Sequence, residues 1–243
     1  MLSDIHSNLE ALSACLEHAK RSGPERYVFL GDFVGYGADP GPVVDAVRSL
    51  VERGGVAVLG NHDLAVTGGP APLMHADAQR AVEWTRGQLS AEQLEFLSRL
   101  PLTVEEGGRL YVHANVWAPQ DWEYITGVFD AGRSLRATPC GITFCGHVHE
   151  PTLYHMAADG RVFGFTPVPG TAVPLSPRRR WLAIPGSAGQ PRDGNPAASY
   201  AVFDDSTALL TWFRVPYDCD TAAREILNAG LPRNLGLRLQ AGY

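Results

Sequence analysis

The sequence contains very little lysine and little cysteine. Lys20 is the single lysine, so the basic residues are almost all arginine, which we interpret as a compositional bias and not as a site. The four cysteines, Cys15, Cys140, Cys145 and Cys219, show no Cys-x-x-Cys spacing. This pattern excludes the disulfide framework of a small secreted domain. The cysteines are therefore expected to be reduced, structural thiols in a cytoplasmic protein.

The sequence also lacks long apolar runs and an excess of positive charge. No stretch is apolar over enough residues to span a bilayer, and no signal-peptide pattern is present, so no membrane partner is expected. The formal net charge is −6 at pH 7. Proteins that bind duplex nucleic acid neutralise its phosphates with basic residues. Because this chain is net negative, duplex nucleic acid is not an expected partner. A small phosphorylated substrate is compatible with this charge, and so is a homo-oligomer.

The length of 243 residues suits one large α/β domain. No linker, repeat or low-complexity segment divides the chain, so we predict a single domain over residues 1–243. The central stretch runs from Val28 to Gly37 and begins as a buried strand that ends in Gly31-Asp32. A continuous apolar run bounded by glycine is typical of an interior parallel strand, and ligands bind beyond the carboxyl end of such strands. Asp32 is therefore expected at the lip of a crevice.

Helical spacing of apolar residues predicts several helices in the first half of the chain. The predicted helices are residues 7–22 with Asn8 as cap, residues 42–53, a stretch from after Asn61-His62 to about residue 87, and residues 91–100 with Ser90 as cap. Short apolar strands alternate with these helices. This order predicts right-handed βαβ units and parallel strands.

The second half of the chain has a different pattern. Residues 103–112 are typical of a hairpin with a glycine turn, residues 130–137 of a helix, and residues 152–215 of short strands broken by Gly and Pro. A closing helix is predicted over residues 220–229, ended by Gly230. We therefore predict an α/β protein in which two mixed β-sheets pack face to face and are flanked by helices.

Each of five apparent strands is followed by Asp, Asn or His residues. In chain order the motifs are Asp4-x-His6, Gly31-Asp32, Gly60-Asn61-His62-Asp63, His113 and Gly146-His147-x-His149. Oxygen and nitrogen donors in such numbers indicate a metal site. Only three residues precede Asp4, fewer than the roughly five or six of a typical strand. The first strand is therefore short, or the sequence begins a few residues late.

The five motifs in this order resemble the calcineurin-like metallophosphoesterase superfamily, from Ser3 onward. A second resemblance, to the small bacterial phosphodiesterase-like branch of that superfamily, is more specific. It is carried by residues 185–194, 198–201 and 214–218. Two positions depart from the branch pattern: Ile184 replaces the usual Asn before Pro-Gly-Ser, and Ala114 replaces the usual Gly after His113. Both flank the expected crevice and neither removes a ligand. The resemblance implies the calcineurin-like phosphoesterase fold.

The resemblance also implies a site for two divalent metal ions. The ligands of the first ion would be Asp4, His6 and His149, and those of the second would be Asn61, His113 and His147. Asp32 would bridge the two ions, with one oxygen for each. A donor set without thiolates suits manganese, iron, zinc, cobalt or nickel. Because residues two apart in a strand face the same way, we expect Asp4 and His6 to reach one ion together.

The implied reaction is hydrolysis of a P–O ester by a metal-bridged hydroxide. His62 would stabilise the transition state or protonate the leaving oxygen, and Asp63 would either orient His62 or cap the next helix. A phosphodiesterase is the first expectation, ahead of a phosphomonoesterase or a dinucleoside-polyphosphate hydrolase. The alternative of another class is a non-catalytic metal- or phosphate-binding module. It is disfavoured because every ligand position and His62 are filled.

Two further groups near the motifs have two interpretations each. Arg192-Asp193 follows a glycine loop, so Arg192 either contacts a substrate or forms a buried ion pair. The aromatic residues Trp117, Trp122 and Tyr124 either rim the substrate pocket or pack on the sheet.

Overall fold

The computed structural model describes residues 1–69 and 74–243. The helices in these ranges are α1 (Leu9–Lys20), α2 (Pro40–Glu52), α3 (Asn61–Val66), α4 (Ala76–Gln88), α5 (Ala91–Ser98), α6 (Val128–Arg136), α7 (Cys219–Asn228) and α8 (Arg233–Ala241). The strands are β1 (Val28–Phe29), β2 (Val56–Ala57), β3 (Thr103–Glu106), β4 (Arg109–Val112), β5 (Ile142–Phe144), β6 (Thr152–Met156), β7 (Val162–Phe165), β8 (Ala172–Pro174), β9 (Arg180–Ile184), β10 (Ala198–Asp204) and β11 (Leu209–Val215).

The strands form two layers. One layer is a six-stranded sheet in the order β3-β4-β5-β9-β6-β7, in which β4, β5 and β9 are parallel and the outer pairs are antiparallel. The other layer combines the antiparallel strands β10-β11-β8 with the parallel pair β1-β2. Leu2 pairs with Phe29, and Met1 exchanges backbone hydrogen bonds with Ala201, so residues 1–2 join the two parts.

A buried apolar layer lies between the two sheets. It contains Phe144 and Ala183 from the six-stranded sheet and Ala201, Leu210 and Trp212 from the other sheet. Burial of such side chains contributes roughly 1.5–3 kcal/mol each, so this layer holds the sheets face to face. The predicted α/β fold with two face-to-face mixed sheets is confirmed.

Helices cover the outer faces of both sheets. Helix α1 begins where the side chain of Asn8 accepts the N–H of Ala11, as predicted, and it packs with α2 against the β1-β2 side. Helix α6 covers the six-stranded sheet through Ala131 and Leu135. None of the helices in residues 1–69 and 74–243 has the length and hydropathy needed to cross a membrane.

The helices differ from the prediction in two regions. The stretch predicted as one helix, from after His62 to about residue 87, is occupied by two helices, α3 and α4, and residues 70–73 between them lie outside the described residues. Helix α8 was not predicted, because Pro232 and Gly236 weaken the local signal. Its formation depends on packing against α7. A side-chain carbon at Gly236 would lie 3.0 Å from the backbone oxygen of Ala223, which shows how close the two helices are.

Candidate metal centre

Six of the seven predicted ligands lie in loops at the carboxyl ends of strands or of the Leu2 bridge, and the seventh, Asn61, is the first residue of α3, which follows β2. Each is at most 5 % exposed: Asp4, His6, Asp32, Asn61, His113, His147 and His149. The parallel strands end at one edge of the fold, which is why residues far apart in the chain meet there. The structure brings the seven side chains together in two adjoining groups.

The first group consists of Asp4, His6 and His149. The Nε2 atoms of His6 and His149 lie 3.2 Å apart, and the Nε2 atom of His149 lies 3.2 Å from Oδ1 of Asp4. Donor atoms of all three residues lie within 4.8 Å of one another. This spacing lets the three residues share one ion.

The second group consists of Asn61, His113 and His147. The Nε2 atom of His113 lies 3.2 Å from Oδ1 of Asn61 and 3.1 Å from Nδ1 of His147. Donor atoms of Asp32, His113 and His147 also lie within 4.8 Å of one another. This group is therefore a second place for an ion, next to the first.

Asp32 lies between the two groups, and one of its carboxylate oxygens faces both of them. Its Oδ2 atom is 3.7 Å from Nε2 of His6 and 3.3 Å from Nε2 of His113. Its Oδ1 atom accepts the backbone N–H of His62 at 2.8 Å. The structure thus differs from the expected arrangement of one oxygen per ion, because one carboxylate oxygen is held by the backbone and the other faces both groups.

The four histidines are oriented by backbone carbonyl groups. The ring nitrogens that contact carbonyl oxygens are Nδ1 of His6 (Val34, 3.1 Å), Nδ1 of His113 (Leu30, 2.6 Å), Nε2 of His147 (Trp122, 2.9 Å) and Nδ1 of His149 (Gln190, 2.6 Å). A carbonyl oxygen can only accept, so each of these nitrogens carries a proton, and in the neutral form of the ring this is the only ring N–H. The other nitrogen of each ring then directs a lone pair at the centre.

The centre is consequently lined by groups that accept hydrogen bonds or bind cations. Ring nitrogens of His6, His113 and His149 face carboxylate oxygens of Asp4 and Asp32 at 3.2–3.7 Å. The fourth ring, His147, turns its Nδ1 atom to Nε2 of His113 at 3.1 Å. Such acceptors repel one another unless a positive charge lies between them. Outer hydrogen bonds of this kind fix the rings of metal-ligating histidines. The residues therefore fit a metal centre with nitrogen and oxygen ligands.

Burial and mutual charge shift the pKa values in opposite directions. Burial lowers the pKa of His6 well below its usual value, and burial with the charge of His113 lowers that of His147 to about 3. Burial also disfavours a charged His113, but the adjacent Asp32 carboxylate outweighs it and raises the pKa of His113 to about 9. Divergent shifts among neighbouring groups are typical of functional sites.

The backbone at the centre is strained. The ligands with positive φ angles are Asp4 (53°), His6 (49°), Asp32 (54°), His147 (68°) and His149 (67°). Such conformations cost roughly 1–3 kcal/mol each in non-glycine residues and cluster at functional sites. They also correct our reason for pairing Asp4 with His6. Both reach the first group, but from a left-handed turn and not by alternation along a strand.

Asp63 fixes the backbone of the Asp32 loop. Its carboxylate accepts four backbone N–H groups, those of Asp32 at 2.8 Å, Phe33 at 2.9 Å, Val34 at 3.3 Å and Gly60 at 3.0 Å. Burial and then the charge of Asp32 raise the pKa of Asp63 to about 7. These contacts fit the helix-capping alternative for Asp63, since the bond to Gly60 caps α3 and none of its hydrogen bonds reaches the His62 ring.

His62 lies beside the two groups of ligands. Its ring is 4.9 Å from that of His6 and 4.5 Å from that of Tyr36, and a ring nitrogen lies within 4.8 Å of donor atoms of His6 and Asp32. Gly35 permits this packing, because a side-chain carbon there would lie 2.5 Å from Nδ1 of His62. Burial lowers the pKa of His62 to about 4 against the opposing effect of Asp32, so the ring is neutral near pH 7.

Arg192 lies at the edge of the centre, and the alternative of a buried ion pair is not found for it among the described residues. Asp193 instead pairs with Arg214. The Arg192 guanidinium donates to Oε1 of Gln190 at 3.1 Å, and its buried Nε has no partner. Burial and then the charge of Arg192 lower the pKa of His149. Arg192 is therefore a partly buried cation close to the ligands.

Of the aromatic residues near the motifs, one lies at the rim of the pocket and two pack against the protein. The Tyr124 ring stacks on the ligand His147 with centroids 4.0 Å apart and is 48 % exposed, so it lies at the rim. Trp122 is buried and holds His147 through its carbonyl group. Trp117 packs beneath Arg133 at 4.2 Å. Tyr36, beside His62, was not selected from the sequence, because a tyrosine in a glycine-rich loop carries no metal-ligand signal.

Three comparisons with known proteins extend these observations. Residues 1–208 match the calcineurin-like phosphoesterase superfamily domain. An uncharacterised protein of Methanocaldococcus jannaschii is 35 % identical over 257 aligned positions, which cover 100 % of this chain and 97 % of that protein. The crystal structure of a metallophosphoesterase from Sphaerobacter thermophilus is 37 % identical, with a TM-score of 0.88 over 100 % of this chain and 97 % of that one. A hypothetical protein from Pyrococcus horikoshii shares the fold at 22 % identity and a TM-score of 0.80, with the same coverage of 100 % and 97 %.

Proposed function

The chain belongs to the calcineurin-like phosphoesterase superfamily, and on that premise we propose that it is a binuclear metal-dependent phosphodiesterase acting on a small phosphorylated substrate in the cytoplasm. One observation carries the proposal. A single oxygen of Asp32 faces two groups of acceptor side chains, one containing His6 and the other containing His113. The preference for a diester rests on the resemblance to the phosphodiesterase-like branch.

The proposed cofactors are two divalent transition metal ions. Asp4, His6 and His149 would hold the first, Asn61, His113 and His147 the second, and Asp32 both. Manganese, iron, zinc, cobalt and nickel all suit such nitrogen and oxygen donors. When bound, two such ions polarise phosphoryl oxygens and supply an activated water. Because Asp4 and Asp32 neutralise only two of the four positive charges, the site favours an anionic phosphate ester over a neutral amide.

The residues of the chain have separate parts in this reaction. Asp63 keeps the Asp32 loop in its strained conformation by accepting four of its neighbouring N–H groups. The neutral ring of His62 donates a hydrogen bond to the phosphoryl group or to the leaving oxygen, and negative charge of the bound substrate favours its protonated form. Arg192 attracts the anionic substrate to the rim.

Hydrolysis of chromogenic esters tests the proposal. Metal-free protein reconstituted with manganese should hydrolyse bis-p-nitrophenyl phosphate faster than p-nitrophenyl phosphate, and chelator should abolish both activities. A panel of nucleotides, dinucleoside polyphosphates and phosphorylated metabolites then compares the substrate classes. Faster cleavage of the monoester would replace the phosphodiesterase by a phosphomonoesterase. Full metal occupancy without any hydrolysis across the panel would instead favour a non-catalytic binding module.

A further inference from the structure

Three carboxylates outside the proposed centre meet where three helices converge. Glu10 lies in the first turn of α1, Asp39 precedes α2 as its N-cap residue, and Glu225 lies on α7. One oxygen from each lies within 4.8 Å of the other two. We call these three residues the carboxylate cluster.

No positive side chain neutralises the carboxylate cluster. Among residues 1–69 and 74–243, none of its members forms an ion pair or a side-chain hydrogen bond with a basic residue, and residues 70–73 contain no basic residue. One oxygen each of Glu10 and Glu225 is shielded from solvent without a hydrogen-bond partner. Adjacent carboxylates without a cation repel one another, which is costly away from water.

The pKa values of the cluster reflect this repulsion. Burial and then the charge of Glu225 raise the pKa of Asp39 to about 6. Burial also raises the pKa of Glu10, with contributions from Glu225 and Asp39. A bound cation would relieve both the burial and the charge penalty.

A small cavity adjoins the cluster and contains a fourth oxygen. Its volume is about 10 Å³, roughly the space that one water or one ion needs, and Ser7, Glu10 and Asp39 line it. Ser7 is fully buried, and its hydroxyl oxygen has no hydrogen-bond partner. The backbone N–H of Asp39 donates to the Ser7 carbonyl at 3.0 Å, so the two residues are adjacent. An unpartnered, buried hydroxyl from a residue that shares a cavity with Glu10 and Asp39 indicates an occupant that accepts electron pairs.

We propose that Glu10, Asp39 and Glu225, together with the Ser7 hydroxyl, bind a hard divalent cation of the size of calcium. Calcium binds oxygen ligands at roughly 2.3–2.6 Å, so two ligands on opposite sides of the ion are up to about 5 Å apart. Because the three carboxylate oxygens lie within 4.8 Å of one another, they can reach one such ion together. The absence of nitrogen and sulfur donors disfavours zinc, cobalt and nickel at the carboxylate cluster, because oxygen ligands suit calcium, magnesium and manganese.

The cation would join α1, α2 and α7 behind the turn that carries His6. His6 lines the same cavity. Binding of the cation should therefore stabilise the fold, and the cation would contribute no group to the reaction. This role is independent of the proposed ester hydrolysis.

Calcium titration of the manganese-loaded full chain tests the inference. We expect one calcium per chain by equilibrium dialysis, and a rise in melting temperature of roughly 5–10 °C when free calcium is about 100 times its dissociation constant. The variant Asp39→Asn/Glu225→Gln should lose both the bound calcium and the shift, and Ser7→Ala should weaken calcium binding. Manganese content, measured in parallel, should be unchanged by calcium.

Matched substitutions separate the cluster from general charge effects. The control Glu25→Gln/Glu83→Gln removes the same charge from exposed positions and should keep the calcium response. Without calcium, removal of the repulsion should make Asp39→Asn/Glu225→Gln melt above the unmodified protein, and calcium should reverse that order. If the double substitution prevents folding, Glu225→Gln alone gives the same comparison. Equal calcium responses in all proteins, or none in the unmodified protein, would overturn the site.

Discussion

Two clusters of acceptor side chains meet the turn that carries His6, and they are built in opposite ways. The histidine-rich centre is buried, and backbone carbonyls or N–H groups fix its rings and one oxygen of Asp32. The carboxylate cluster is only half-buried, and its side chains lack such anchors. The first is preorganised for ions with demanding geometry, whereas the second can adapt to a large cation with variable coordination.

The comparison also shows where the fold stores strain. Five of the seven proposed ligands have positive φ angles, whereas none of Glu10, Asp39 and Glu225 does. At roughly 1–3 kcal/mol per strained residue, the centre costs stability that the sheet layers must offset. Ion binding at either cluster should return part of that stability.

The largest effect on metal content and activity is expected for Asp32→Asn, which changes the residue shared by both halves of the centre. The amide keeps the shape and an oxygen for the His62 N–H, but it loses the charge between His6 and His113. Both transition ions should therefore be lost, and activity should fall by more than about 100-fold, since even outer contacts to metal ligands are worth roughly 10–100-fold. Elemental analysis and ester hydrolysis measure the two effects.

The carboxylate cluster supplies the control for this substitution. Asp32→Asn should leave the calcium response unchanged, because Asp32 does not belong to that cluster. Full occupancy by two transition ions in the variant would refute the shared role of Asp32.

A smaller effect is expected for His62→Asn, which tests whether His62 belongs to the ligand set. As a proton donor, His62 should matter most for poor leaving groups, with losses of roughly 10²–10⁴-fold on an alkyl or nucleotide diester. A nitrophenyl ester needs less protonation and should lose less. Metal content and melting temperature should not change.

Two other outcomes would assign His62 differently. Equal losses on both kinds of ester would indicate electrostatic stabilisation of the transition state. Loss of one ion would make His62 a ligand, which its position within 4.8 Å of His6 and Asp32 donor atoms allows.

Arg192→Met should act on substrate capture at the rim. We expect KM to rise about 10-fold, the cost of one hydrogen bond to a charged group, while kcat changes little. Arg178→Gln removes a similar charge from an exposed loop and serves as control. A fall in kcat at unchanged KM would contradict a role in capture, and an effect of Arg178→Gln would indicate general attraction by surface arginines.

The smallest effect is expected for Asp39→Asn in calcium-free protein. Because folding raises the pKa of Asp39 from 3.8 to about 6, its charged form destabilises the fold above pH 6, and protonation relieves this as the pH falls. Asp39→Asn should therefore melt higher than the unmodified protein at pH 8, and the difference should shrink towards pH 5. The charge of Glu225 supplies part of the repulsion on Asp39, and Glu10, whose pKa is also raised by burial, contributes to the same trend. A difference independent of pH would argue against charge repulsion.

The family and the fold could be predicted from the sequence, because strand ends and the order of motifs can be read along the chain. The five motifs marked the carboxyl ends of strands, and their order carried the resemblance to the superfamily that residues 1–208 match. The left-handed turns at Asp4 and His6 had no such signal, since Asp and His are not obligatory in that conformation. The contacts of Asp63 were equally hidden, because they are made to backbone groups.

The remaining features depend on packing between distant segments. Glu10 and Glu225 meet only because α1 and α7 pack together, and neither residue belongs to a motif. Helix α8 has weak propensity and depends on α7 for its buried face. Single-sequence patterns describe neighbours along the chain, so such contacts were beyond prediction.

The carbonyl contacts of the four histidines bear on how the chain can vary over evolution. Side chains at positions 30, 34, 122 and 190 can be replaced without deleting these contacts, because every residue type has a carbonyl group. The orientation of the four rings thus depends on the course of the backbone, and amino-acid substitutions at those four positions should leave it unchanged. Asp63 is the exception, since its side chain provides four contacts at once, and tolerance to substitution should be lowest there.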